Sequence, residues 1–214
     1  MARLFKTGSR PVPRFGGMSE KISDLLEHAA AATVPVVRGI DDGQLSLPTP
    51  CGAYDVRALA GHLYRVVINF QALAAKRDTD LSQEPVRLEG DWRGGFAEET
   101  RGLVAAWAAP GAEDGTTGRM AMPARTVGAM ALGDLMVHGW DLARATGQPY
   151  DTSGARGSLD VVGERFAELA PTARKMGVFG PEVPVAADAP PLERVLGLTG
   201  RDPHWTATGA AGAS

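Results

Sequence analysis

The sequence predicts an all-α protein: a four-helix bundle with an extra helix and a short extended C-terminal segment. Three observations predict it. Apolar residues recur at helical spacing in five long stretches. The few extended stretches carry proline or glycine, which argues against firm strands. No internal repeat and no break in composition marks a second domain, so the helices must bury their apolar faces against one another. Residues 18–205 are expected to form one domain, and 206–214, "TATGAAGAS" with its lead-in, a flexible tail.

The first helix is expected from about Ser19 to Val37, with Ser19 as N-cap and Ile22, Leu25, Leu26, Ala29 and Ala32 on its inner face. Pro35 should kink or end its last turn. A polar loop follows. Asp55 is a good N-cap for the second helix, in which Val56, Leu59, Leu63, Val66, Val67, Phe70 and Leu73 recur to about Lys76. His62 borders that stripe. The third helix spans about Asp91 to Ala108, though Gly94 and Gly95 weaken its start. A long connection holds at most a short extended piece around Pro123. The fourth helix runs from about Ala129 to Thr146 and is stopped by Gly147. The fifth covers about Ser153 to Leu169, and the short "LERVLGLTG" follows a proline-rich extended run.

Composition sets outer limits. A hydrophobic share of 44% against 22% charged is the balance of a globular chain with a sizeable core. A net charge of −3 offers nothing to nucleic acid or an anionic membrane. No run approaches the roughly 20 apolar residues of a membrane span. The lone cysteine, Cys51, rules out an internal disulfide and fits a reducing cytoplasm. Residues 1–17 are basic but lack the apolar core of a secretory signal. They read as a disordered arm, a cloning remnant, or an overlong start before Met18.

The fourth helix carries the functional signal. It is apolar on nearly every face, yet Asp134, His138 and Asp141 stand in one row, four and three residues apart. A carboxylate on a buried stripe must be protonated, paired, hydrogen-bonded or bound to a metal. An Asp–His pair at i, i+4 offers one oxygen and one nitrogen in the same direction, a donor pair suited to zinc. A plain salt bridge is the competing reading. A third ligand must come from another helix. Of the four histidines, His28 is expected on an outer face and His204 lies near the tail, which leaves His62. Asp141 is read either as an acceptor orienting a ligand imidazole or as the ion-pair partner of an arginine such as Arg144. Arg65, one turn beyond His62, is a candidate for holding a substrate carboxylate, against the plainer reading of a solvated surface arginine. Cys51, a few residues before the second helix, reads as a small buried loop residue, with approach to the metal mouth as the alternative; Trp140 reads as core, and Arg201 with Asp202 as a salt bridge tying down the C-terminal segment.

The stretches "TPCGAYDVRALAGHL" (49–63), "HGWDLARATGQ" (138–148) and "LTGRDPHW" (198–205) resemble the mycothiol-dependent maleylpyruvate isomerase-like family, within the DinB-like group of four-helix-bundle metalloproteins. The resemblance runs from about Ser19 to Trp205. It implies a divalent metal, usually zinc, held by His62, Asp134 and His138; nickel, iron and manganese are the other candidates. The founding isomerase has glutamate where this chain has Asp134, and it carries a separate C-terminal domain that the roughly 45 residues after Leu169 do not match.

Three protein ligands leave an open position on the ion, the arrangement of catalytic sites. Two uses follow: activation of water for hydrolysis, or capture of a thiol as thiolate. The resemblance favours the second, with mycothiol as co-substrate. The expected function is a thiol-dependent transferase or isomerase acting on a small electrophilic substrate, as monomer or homodimer. A metal-dependent hydrolase and a non-catalytic metal-binding module are the alternatives.

Overall fold

The computed structural model describes residues 20–119 and 121–207. Its elements in chain order are α1 (Ile22–Arg38), a 3₁₀ turn (Asp42–Gln44), α2 (Val56–Ala74), α3 (Trp92–Ala108), β1 (Thr116–Thr117), β2 (Met122–Pro123), α4 (Ala124–Thr146), α5 (Arg156–Lys175) and α6 (Pro191–Leu198). The protein is all-α apart from the two-residue strands β1 and β2, which pair antiparallel. The arm at 1–17, the proposed start at Met18, the Ser19 cap and the tail beyond residue 207 lie outside the described residues.

Helices α1 and α2 each pack against both α3 and α4. The buried faces are those the apolar spacing marks: Leu25, Leu26 and Ala29 on α1, Leu59, Leu63 and Val67 on α2, Phe96, Leu103 and Trp107 on α3. Helix α4 is buried on nearly every face, because α1 and α2 cover one side and α5 another. Helix α6 packs on α5 and returns the chain towards the bundle. Polar side chains tie the layers. Thr33 Oγ1 donates to the Leu135 carbonyl at 3.0 Å, and Ser158 Oγ to the Leu25 carbonyl at 3.0 Å.

Asp55 caps α2 as expected, accepting from Ala58 N, and Asp91 caps α3, accepting from Gly94 N. Gly147, left-handed at φ 71°, closes α4. Helix α1 runs to Arg38, next to the expected end at Val37, with Pro35 inside its last turn. Three boundaries differ from expectation. Pro171 does not stop α5, which runs on from the expected Leu169 to Lys175 and begins only at Arg156. Each proline sits on an exposed face, and the carbonyls it leaves without a helical donor belong to exposed Ala31 and Ala167, so water replaces the lost bonds. Helix α4 starts at Ala124, five residues before the expected Ala129. The glycine-rich sequence hid this turn, which Ala124, Val127 and Ala131 bury at helical spacing.

Among the described residues no helix is long and apolar enough to cross a membrane.

Candidate metal centre

Two helices and two loops converge on the middle of the bundle helix α4. From α2 comes His62, partly buried and close to the α2 N-terminus. From the middle of α4 come Asp134, His138 and Asp141, on the row their spacing predicts. The loop before α2 contributes Cys51 and Tyr54. That loop is fixed by an isolated bridge between Pro48 and Asp55 and by Thr49 Oγ1, which donates to the carbonyls of Cys51 and Tyr54. The segment after α6 contributes Arg201.

The rings of His62 and His138 meet edge to face with centroids 5.2 Å apart and planes at 88°. Two imidazoles that share one tetrahedral zinc, with nitrogens about 2.0–2.1 Å from it, hold their centroids about 5 Å apart. The spacing is compatible with a common ion and is also that of ordinary edge-to-face packing, and among the described residues the three-residue donor group within 4.8 Å is Cys51, His138 and Asp141, not His62, Asp134 and His138. Asp134 Oδ1 lies 3.9 Å from His138 Nε2, with a third of its side chain exposed. Its carboxylate is thus on the open side of the pair, on the same ring edge as Nε2. Tyr54 stacks on His62 at 5.2 Å and 19°, which sets the orientation of that ring.

On its other edge, His138 Nδ1 bonds Asp141 Oδ2 at 3.0 Å. Asp141 is fully buried, and Arg201 Nη2 donates to the same Oδ2 at 3.3 Å. An ionised carboxylate only accepts, so the bond puts the ring proton on Nδ1 and leaves the lone pair on Nε2, towards Asp134. Asp141 thus meets both an imidazole and an arginine, and that arginine is Arg201, not Arg144. Arg144 instead lies over the buried Trp140 and donates to the Trp205 carbonyl. Nor do Arg201 and Asp202 pair: Asp202 Oδ1 accepts from His204 N.

Electrostatics follow burial. Burial, then the neighbouring His138, pushes His62 down to about 4, so the ring is neutral near pH 7 and free to ligate. Burial raises Asp134, against the pull of His138 and Arg201. Burial also raises the Cys51 thiol, opposed by Arg201. Of the two readings of Cys51 the structure favours the approach to the site: its sulfur lies with ligand atoms of His138 and Asp141 in a group whose members are all within 4.8 Å of one another. Two buried polar atoms here lack protein partners, Asp141 Oδ1 and Arg201 Nε.

Arg65 Nε donates to the Glu84 carbonyl, which ties it to the loop between α2 and α3. His28 and His204 are exposed. Sequence spacing could not find Arg201, Cys51 or Tyr54, because none shares a helix with the histidines.

Arg201 reaches the site through a tight backbone crossing. Gly200, at φ 87°, passes Gly180 so closely that a Cβ on Gly200 would stand 2.7 Å from the Gly180 Cα. Arg174 braces this crossing by donating to the carbonyls of Gly180 and Leu198.

No curated protein and no solved structure matches the chain. The family model of the mycothiol maleylpyruvate isomerase N-terminal domain matches residues 26–143, more than half of the chain, and takes in His62, Asp134, His138 and Asp141. The chain belongs to the mycothiol maleylpyruvate isomerase N-terminal domain family.

Proposed function

We propose that this protein binds a divalent ion, zinc by preference, through His62, Asp134 and His138, and transfers or isomerises a small electrophilic substrate with the help of a thiol, mycothiol being the thiol the family points to. One observation carries the reading: imidazoles from two separate helices meet at 5.2 Å, the spacing of two ligands on one ion. A divalent ion bound there lowers the pKa of a coordinated thiol towards neutrality.

The remaining tasks fall to the protein. His62, neutral near pH 7, and the His138 ring offer nitrogens, and Asp134 adds a carboxyl group on the solvent-facing side. Asp141 holds the His138 tautomer that keeps Nε2 unprotonated. Tyr54 walls the His62 ring. Partial exposure of His62 and Asp134 gives small molecules a way in, while the apolar α4 surroundings keep the inner edge dry. A reducing cytoplasm suits both the thiol and the single free cysteine.

The test is conjugation of mycothiol to a model electrophile by zinc-loaded protein. The reading expects a rate above that of thiol alone, lost in His62→Ala and His138→Ala. Equal rates with and without protein across several electrophiles would overturn it. Ester or amide hydrolysis without thiol would point to the water-activating alternative.

A further inference from the structure

We propose a second cation seat on the opposite edge of the His138 ring, built from Cys51, His138 and Asp141 and selective for soft divalent ions. It stands apart from the His62 reading and survives if that reading fails.

One ligand atom from each residue lies within 4.8 Å of the other two. An independent observation also points to a ligand: Asp141 is fully buried, yet its Oδ1 has no partner. An unpartnered carboxylate oxygen in an interior is costly. Arg201 and His138 both engage Oδ2, so Oδ1 is the oxygen left to offer. Charge permits the ion. Thiolate and carboxylate together carry two negative charges against one from Arg201, so a divalent ion leaves the cluster at net +1, less than its own charge. Tetrahedral ligand atoms stand about 3.3–3.8 Å apart, so closing the group around an ion asks for a contraction of at most about 1.5 Å. Cys51 is on a loop and partly exposed, which allows that movement and gives an ion access.

Softness and tautomerism separate the two seats. The His62 set offers two imidazoles and a carboxylate, whereas this one offers a thiolate, favoured by cadmium over harder ions. A neutral imidazole has one lone pair. Ligation through Nδ1 needs the ring proton on Nε2, where Asp134 Oδ1 stands 3.9 Å away. His138 therefore serves one seat at a time. On binding, the Cys51 S–H bond breaks, a sulfur–metal bond forms, and the proton goes to solvent.

The test is titration of metal-free protein with cadmium chloride alone, read by the ultraviolet thiolate-to-cadmium charge-transfer band. Wild type is expected to develop the band up to one equivalent. Cys51→Ser, nearly isosteric and at a partly exposed position, should lose it. His62→Ala should keep it, since His62 is not in this seat. Absence of the band from wild type, its persistence in Cys51→Ser, or its loss in a folded His62→Ala would each overturn the proposal; the last would move Cys51 into the His62 set. Failure of Cys51→Ser to bind zinc would instead overturn the His62 reading. Circular dichroism of each variant confirms that the helices are intact.

Discussion

His138 Nδ1 and Asp141 Oδ2 stand 3.0 Å apart, three residues along one helix, with the carboxylate fully buried. This bond decides which ring nitrogen faces Asp134 and His62. It also gives buried Arg201 its one carboxylate partner among the contacts seen. Asp141→Asn keeps the shape but removes the charge. Breaking a buried pair from one side costs about 3–5 kcal/mol, because the other charge stays behind unpaired. Arg201 is 10% exposed, which places the expected loss of stability near the lower end, about 3 kcal/mol by denaturant titration. Zinc affinity should fall by about 10–100-fold, as for other partners that orient a ligand histidine. Chelator competition reads the second effect separately from the first.

Removal of a ligand should cost more than removal of its orienting partner. His138→Ala takes away the ring common to both donor sets, and elemental analysis after dialysis should find no retained divalent metal. His62→Ala should lose zinc by more than the about 10–100-fold of the Asp141 variant. The exposed histidines supply the control: His28→Ala and His204→Ala should retain wild-type metal content. Equal metal loss in all four variants would mean that binding is nonspecific imidazole capture.

The row on α4 was legible because a helix repeats on a fixed angle, and three polar residues on an otherwise apolar helix have little reason to be there. His62 followed from the same periodicity on α2. Arg201 did not, since it lies 60 residues from Asp141 and arrives through a loop crossing that no local pattern encodes. Cys51 and Tyr54 were hidden for a similar reason: the loop before α2 is folded by Thr49 hydrogen bonds, not by a repeat. The end of α5 was not legible: Pro171 lies on an exposed face where solvent can reach the freed carbonyl, and exposure is a tertiary fact.

The metal-free protein should lose stability on mild acidification. The His62 pKa is about 4 in the fold against 6.5 as the ordinary value. Above pH 6.5 neither state is protonated and the stability is full. Between 6.5 and 4 the unfolded chain binds the proton more readily, so stability falls with falling pH; below 4 both states are protonated and this contribution levels off. Allowing for partial solvent exposure of the ring, the drop should be about 1–2 kcal/mol. Urea unfolding at pH 7, 6 and 5 with chelator present measures it. His62→Gln, which has no charge to gain, should flatten that part of the profile.

The C-terminal segment completes the site only while its backbone crossing holds. Gly200 is left-handed at φ 87°, and an added Cβ would meet backbone atoms of Gly180 and Pro181 at 2.7–2.9 Å. Backbone cannot turn aside as a side chain does, so Gly200→Ala combines conformational strain of about 1–3 kcal/mol with a forced separation of the two segments. Arg201, the next residue, should then withdraw from Asp141. Gly177→Ala separates the two contributions, for Gly177 is also left-handed, at φ 72°, but has open space around it. It should show the strain alone, with normal zinc affinity. Gly200→Ala should add faster proteolysis of the C-terminal segment and a zinc affinity lowered in the direction of Asp141→Asn. Should both glycine variants bind zinc as wild type does, Arg201 would be a structural tie only, and the hold of Asp141 on His138 would not depend on it.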